Sequence, residues 1–320
     1  MIITVTLNPA VDQALEIEEL LAGDTNRVLH SRIDPGGKGV NVSRTLHELG
    51  RQSLAAGLAP GSLGRFVEHS LAEQGILCDF VHTRGQTRTN ISVVDETAHE
   101  TTLFAYRGPE VDPKHADTLA ARLRRYIKPN DWVAIAGSIP PPLSVDLYAK
   151  LIELGRELGA NTVLDADADA LRAGIAGRPH LVKSNHHEAE RLFGRPMDGE
   201  RALLAAADEM RAGGAEIAVI TAGGRGAVGV SGDGAWRAQP PETVVVSAVG
   251  AGDALLAGLL MKLDDGDDLG EALRWGTAAG AAACLTPGTQ LCRRPDVERL
   301  LLDVRVERIS HASAASASGP

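Results

Sequence analysis

From about residue 131 onward, short apolar runs alternate with longer segments whose apolar residues recur every three or four positions. Trp132-Val133-Ala134-Ile135-Ala136 is a continuous apolar run of strand length, and Val145 to Leu158 carries apolar residues at helical spacing. Thr162-Val163-Leu164 predicts another strand, with a helix near Ala168; His180-Leu181-Val182 and Ile217-Ala218-Val219-Ile220 continue the series. Strands apolar on both faces and separated by helices predict a mostly parallel sheet with right-handed crossovers and helices on both sides. Ligands on such sheets gather beyond the carboxyl ends of the strands.

The N-terminal third reads differently. Ile2-Ile3-Thr4-Val5-Thr6 predicts a first strand, and helices follow at Val40–Leu49 and Gly64–Glu73, closed by Gly50 and Gly75. Around them lie β-type segments, including Asn90-Ile91-Ser92-Val93-Val94 and Thr101-Thr102-Leu103-Phe104-Ala105, joined by the polar stretch Asp95 to Glu100 as in a hairpin. Residues 12–33 and 87–105 are expected to form a small sheet projecting from the main body as a lid. No internal repeat occurs. The Ala/Ser-rich stretch Ser310 to Pro320 has no periodicity and reads as a disordered tail beyond a single domain spanning 1–309.

A chain of 320 residues can bury a full α/β core. With 44% hydrophobic, 23% charged and only 3% aromatic residues, that core is expected to be close-packed small aliphatics, without stacking platforms for single-stranded nucleic acid. The net charge of −10 argues against nucleic acid or an anionic membrane as partner. It leaves a phosphorylated small molecule open, because exposed charges are screened beyond about 8 Å and a local Arg/Lys cluster can decide the matter. Cys78, Cys284 and Cys292 form no CxxC pair and read as reduced thiols of a cytoplasmic protein. No apolar run reaches the length of a membrane span.

The chemistry concentrates in a few places. Gly250-Ala251-Gly252-Asp253 opens the apolar run 254–260, so free backbone N–H groups at a helix start can face an anion while Asp253 sits beside it as a base. Pro35-Gly36-Gly37-Lys38-Gly39-Val40-Asn41 allows close backbone approach and runs into a second helix start, though a plain glycine turn has the same composition, and no Walker A pattern is present. Gly224-x-Gly226-x-x-Gly229 follows a strand, but the residues after it alternate like another strand; the dinucleotide reading therefore fails its context, leaving a phosphate-touching loop or an ordinary turn. Asn185 and Glu188 suit a helix capping box, or alternatively a Mg²⁺ held mostly through water. A zinc reading of His186-His187 is rejected for want of a third ligand. Asp12 follows the first strand, where a turn aspartate or a ligand-binding one would sit. Arg27 and Arg88 are placed in the lid strands, where a solvated edge charge is the alternative to an anion contact.

Together these residues resemble the ribokinase-like sugar kinases of the phosphofructokinase B branch, over residues 1 to about 302. The resemblance rests on Thr6-Leu7-Asn8-Pro9-Ala10-Val11-Asp12, Gly36 to Asn41, Thr87-Arg88-Thr89-Asn90, Gly137-Ser138, Lys183 to Glu188 and Gly250 to Asp253. It implies a ribokinase-like three-layer α/β/α fold with a β-sheet lid, and a homodimer using ATP and Mg²⁺ to phosphorylate a ketohexose phosphate. It implies Asp253 as base, with the N–H groups of Ala251, Gly252 and Asp253, in the turn from Gly250, as anion hole. Asp12, Gly37 and Asn41 would hold the sugar, with Ser138 beside it; Arg27, Lys38 and Arg88 would meet its phosphate. Asn185 and Glu188 would organise Mg²⁺, and Lys183 with Thr221, Gly223 and Gly226 would lie near ATP. The sequence departs from the family pattern at Pro142, where a glycine is usual, and at Ser184, where a proline is.

Lys38 in the glycine loop resembles the 1-phosphofructokinase and tagatose-phosphate kinase groups, whereas Pro287-Gly288-Thr289-Gln290-Leu291-Cys292 resembles the minor 6-phosphofructokinases. The expectation is 1-phosphofructokinase activity, with 6-phosphofructokinase or tagatose-6-phosphate kinase as alternatives. A non-catalytic sugar-phosphate sensor would need neither Asp253 nor Glu188. A dehydrogenase is disfavoured with the failed dinucleotide motif.

Overall fold

The computed structural model describes residues 1–98 and 100–310. The expected tail therefore lies, apart from Ser310, outside the described residues. The chain opens with β1 (Ile2–Thr6), whose neighbours Ile2 and Ile3 are both fully buried but in different cores, one on each side of the sheet. That is what a strand covered on both faces requires, and why its sequence shows no polar alternation. The chain then leaves the main sheet for β2 (Ala10–Ile17) and β3 (Val28–Gly36), returns through α1 (Lys38–Glu48), β4 (Ser53–Pro60), α2 (Gly61–Glu73) and β5 (Leu77–Thr83), and leaves again for β6 (Arg88–Asp95) and β7 (Glu100–Phe104).

After α3 (Lys114–Tyr126) the expected alternation sets in: β8 (Trp132–Ala136), α4 (Leu147–Glu157), β9 (Asn161–Asp165), α5 (Ala168–Ala176), β10 (Leu181–Asn185), α6 (His186–Phe193), α7 (Gly199–Ala212) and β11 (Ile217–Thr221). A meander of β12 (Ala227–Ser231) and β13 (Gly234–Gln239) precedes α8 (Ala251–Asp264), α9 (Leu269–Ala283), α10 (Arg294–Leu301) and β14 (Arg305–Ile309). The ten-stranded sheet has the order β14-β13-β12-β11-β10-β9-β8-β1-β4-β5, parallel from β11 to β5 and antiparallel beyond. The lid is a separate sheet, β3-β2-β6-β7, in which β2 runs antiparallel to β3 and parallel to β6. This is the expected α/β architecture with a projecting lid.

The small-aliphatic core is most evident between α8 and α9. A methyl group on Gly258 would lie 2.8 Å from the Trp275 carbonyl oxygen, and one on Gly276 would lie 2.7 Å from that of Leu255. The two helices are therefore in backbone contact, and α8 is buried on all sides from Asp253 to Met261. Leu255, Leu256, Leu259 and Leu260 anchor it, each worth about 1.5–3 kcal/mol of apolar burial. That anchoring fixes the position of the α8 N-terminus.

The elements not anticipated include β4 and β5, on the far side of β1 from β8. Ser53-Leu54-Ala55-Ala56-Gly57-Leu58-Ala59-Pro60 lacks the β-branched residues that mark strands, yet all eight positions are buried. Arg27 requires correction, since it precedes β3 instead of lying in a lid strand, and it is exposed. The β2–β3 register pairs Ala10 with Gly36 at the lid base and Ile17 with Val28 at its tip. At about 3.4 Å per residue, Arg27 stands roughly 25 Å along the lid from the glycine loop.

Candidate active site

The two corners of greatest interest meet directly. Asn41, in the first turns of α1, donates a 2.9 Å hydrogen bond from its Nδ2 to Oδ2 of Asp253, in the first turn of α8. Both residues are buried, and α1 packs against α8. Gly250 is the N-cap of α8 with φ 78°, a left-handed conformation that favours glycine. The Ala251 and Asp253 N–H groups make turn hydrogen bonds of 3.3 and 3.1 Å to the carbonyls of Ala248 and Gly250. An arriving anion would share or replace these bonds.

Beneath this turn lies a charge cluster whose central member was not singled out from sequence. Asp165, fully buried at the carboxyl end of β9, accepts from Lys38 Nζ at 2.6 Å and from Lys183 Nζ at 2.9 Å. The available signal was an acidic residue ending an apolar strand of a parallel sheet, a position that faces the ligand side. Lys38 also donates to Glu188 Oε1 at 2.8 Å. Lys183 reaches under the turn that opens α8, its Nζ 2.9 Å from where a methyl on Gly252 would sit. Lys38, Asp165, Lys183, Glu188 and Asp253 thus tie the glycine loop, β9, β10, α6 and α8 together.

These neighbours set the protonation states. Burial pushes the Asp253 carboxyl up, the adjacent Asp165 charge adds to this, and Lys183, Lys38 and Asn41 pull back; the balance is about 6. Burial would likewise raise Asp165, but its two lysines reverse the effect and hold it below the usual carboxylate range. Burial acts to lower the Lys38 ammonium, yet Asp165 and Glu188 more than compensate and it stays firmly charged.

At the lid base, Asp12 accepts from Asn90 at 2.8 Å, and its carboxylate rests on Gly36. A methyl there would come within 2.0 Å of Asp12 Oδ2, so the glycine is needed for close approach. Burial raises the Asp12 carboxyl despite Asn90 and the charges of Arg88 and Arg44. Gly37 has φ 109° and turns the chain into α1 over Pro9. Asn8 bridges to Ser138, donating to its Oγ at 2.9 Å. Arg88 donates to the carbonyls of Tyr106 and Asn8 at 3.0 and 3.1 Å and keeps a buried Nε without a hydrogen-bond partner. The structure therefore brings Asp12, Gly37, Lys38, Asn41 and Asp253 into linked positions, and leaves Arg27 at the lid tip.

On the other side, Asn185 and Glu188 form a complete capping box: Asn185 Oδ1 accepts from the Glu188 N–H, and Glu188 Oε2 accepts from the Asn185 N–H at 2.8 Å. The capping alternative thus holds, while Glu188 Oε1 also faces the cluster through Lys38. Thr221 ends β11 in register with Asn185, and a single 3-10 turn at Gly223–Arg225 leads into the antiparallel β12 instead of a helix. Gly223 faces open space, whereas a methyl on Gly226 would lie 2.0 Å from the Ala238 carbonyl oxygen. Gly226 is thus accounted for by packing. The Pro141–Pro142 peptide is cis, and the Ser184 hydroxyl bonds the Asn185 carbonyl. Among the described residues, no helix is long and apolar enough to cross a membrane, and no group of three or more His, Cys, Asp and Glu could hold a metal by itself.

Residues 5–296 match the pfkB family carbohydrate kinases. A 1-phosphofructokinase of Rhodobacter capsulatus is 37% identical over 300 residues, covering 93% of this chain and 94% of that protein. An ATP-dependent 6-phosphofructokinase isozyme 2 of Mycobacterium tuberculosis is 32% identical, covering 93% and 88%. The crystal structure of phosphofructokinase-2 from Escherichia coli with substrates and products superposes with a TM-score of 0.89 at 30% identity, covering 94% of this chain and 98% of that one.

Proposed function

This chain belongs to the pfkB family of carbohydrate kinases and is an ATP-dependent sugar-phosphate kinase, and we propose that it converts fructose 1-phosphate to fructose 1,6-bisphosphate with Asp253 as base. The observation that carries the assignment of the base is the Asn41–Asp253 hydrogen bond of 2.9 Å, which puts a carboxylate between the glycine loop and the α8 N-terminus. A base tuned to about 6 is mostly ionised at neutral pH and close enough to it to accept a hydroxyl proton.

Phosphoryl transfer asks for alignment and charge stabilisation. In this reading Asp12 and Asn41 orient the acceptor, and Asp253 takes its proton. The α8 N-terminus contributes up to about 2 kcal/mol toward the developing charge. That is too little for a kinase, so Lys183 beneath the turn and Lys38 opposite share the task. Arg88, with its unpartnered Nε, suits the phosphate the acceptor already carries; Ser138 lies at the same edge. The donor set fits Mg²⁺ of the kind that keeps several waters and rides on nucleotide phosphates: one carboxylate, Glu188, beside an amide, Asn185, with no dedicated cage among the described residues. When bound, Mg²⁺ would supply positive charge to the ATP phosphates. Lys183, Thr221, Gly223 and Gly226 border the side left to the nucleotide.

Support for fructose 1-phosphate comes from Lys38 within the glycine loop and from the 1-phosphofructokinase relative. Fructose 6-phosphate is the second reading, favoured by the 287–292 segment and the 6-phosphofructokinase relative; tagatose 6-phosphate is a third. A coupled ADP-release assay over fructose 1-phosphate, fructose 6-phosphate, tagatose 6-phosphate and unphosphorylated sugars decides. A higher kcat/KM for any other acceptor ends the fructose 1-phosphate assignment, and ADP release with none of them ends the kinase reading for these acceptors. The lid exposes Val28, Leu29, Ile33, Leu103 and Phe104, an apolar surface that a second copy in a homodimer would cover. Light scattering of the purified protein tests that.

A further inference from the structure

The loop after α9 touches both the lid and the catalytic turn. Thr289 Oγ1 donates a buried 2.7 Å hydrogen bond to Asp34 Oδ2 on lid strand β3. Asp34 lies opposite Asp12 in the β2–β3 register. One residue earlier, Gly288 is so close to lid strand β2 that a methyl on it would come within 2.9 Å of Ala14 Cβ. The same Gly288 accepts a 2.9 Å hydrogen bond through its carbonyl from Ser247 Oγ, in the segment leading to the anion-hole turn. Leu291 packs against Gly250, its Cδ2 2.8 Å from where a methyl there would be. The Thr286 hydroxyl ties the loop closed, its single proton shared between the carbonyls of Ala283 and Gln290 at 2.9 and 2.8 Å.

We propose that Thr289 is a positioning residue that couples the lid to the catalytic turn, so that sugar-phosphate binding under the lid improves the site for nucleotide, and the reverse. The inference rests on the kinase reading above, and goes beyond it by assigning the communication between the two substrates to one side chain. The physical basis is a short loop, closed on itself by Thr286, that contacts both the lid and the segment leading to α8. When the lid settles on the acceptor, Asp34 carries Thr289 with it. Gly288 and Leu291 then pass the displacement to Ser247 and Gly250, where the N–H groups must meet the transferring phosphoryl.

Asp34 does not depend on Thr289 for satisfaction. It also accepts from Arg32 at 2.7 and 3.0 Å and from Arg44 at 3.3 Å. Removing the hydroxyl therefore leaves the lid carboxylate paired and removes the Thr289–Asp34 hydrogen bond between loop and lid, leaving the Gly288–Ala14 packing in place.

Calorimetric titration of a non-hydrolysable ATP analogue with Mg²⁺, with and without saturating fructose 1-phosphate or fructose 6-phosphate, measures the coupling. Couplings of this kind span roughly 5- to 150-fold in affinity. The wild type is expected to show at least about 5-fold tightening, Thr289→Val less than about twofold, and Thr289→Ser to restore it. Ser247→Ala cuts the other contact, so the double variant with Thr289→Val is expected to lose no more coupling than either single change. A Thr289→Val protein with wild-type tightening, or a wild type without any, overturns the proposal. A wild type that releases no ADP with any sugar phosphate and binds none instead removes the kinase reading beneath it.

Discussion

Replacing Asp253 by Asn should remove activity and add stability together. The carboxyl moves from its ordinary 3.8 to about 6 in the folded protein, chiefly through burial and the Asp165 charge. At roughly 1.4 kcal/mol per pH unit, holding it ionised costs the native state about 3 kcal/mol near neutral pH. The sign follows from the raised value: the native chain binds the proton more tightly than the unfolded one. Its contribution to stability is thus complete below about pH 4 and lost as pH rises through about 6. Asn carries no charge to desolvate and can still meet Asn41. Thermal unfolding of Asp253→Asn at pH 8 should therefore occur above the wild type by up to about 3 kcal/mol, with the gap closing by pH 4. Turnover should fall about 10²–10⁴-fold, the usual contribution of a positioned base. The wild-type kcat/KM profile should rise tenfold per pH unit below about 6 and flatten above it, and the residual activity of the variant should lack that limb. Near-native turnover would remove Asp253 as base. A variant less stable than wild type at pH 8 would refute the account of its environment.

The groups around Asp253 should shift the same limb in opposite directions. Asn41→Ala deletes the hydrogen bond that lowers the carboxyl, so the acid limb of kcat/KM should move to higher pH. Asp165→Asn removes the neighbouring negative charge and should move it lower. The same change strips the buried Lys183 and the half-buried Lys38 of their shared partner and should cost about 3–5 kcal/mol in denaturant unfolding. Gly36→Ala forces a methyl within 2.0 Å of Asp12 Oδ2, so KM for the acceptor should rise well before kcat falls, with about 1–3 kcal/mol lost from stability. Glu188→Gln weakens both the α6 cap and the Lys38 pair. Mg²⁺ titration of ADP release should then reach half-maximum at higher metal concentration, and an unchanged midpoint would remove Glu188 from the metal site.

Much of the architecture was legible because it rests on local periodicity. The doubly apolar strands β8 to β11 and their helices could be read from spacing alone, since a strand covered on both faces has no polar alternation to confuse it. The lid hairpin of β6 and β7 was legible from its polar connection. β4 was not, because an Ala- and Gly-rich strand takes its stability from neighbours on both sides and leaves no propensity signal. Arg27 was misplaced for a related reason, since where a lid strand begins is set by its pairing with β2.

The glycine turns, the acidic residue at the start of α8 and the capping box follow from the order of residues, because turn chemistry and helix starts are local properties. The chain alone thus determined that an acidic residue would stand at a helix N-terminus and that a glycine loop would open another helix. It did not determine that Asn41 would hold Asp253 across 212 positions, that Asp165 would be shared by Lys38 and Lys183, or that Thr289 would reach Asp34. Those pairings, and the carboxyl tuned to about 6, depend on which strand ends the parallel sheet sets side by side and on how deeply α8 is buried. Spacing along the chain carries no information about distances that only sheet order and packing create.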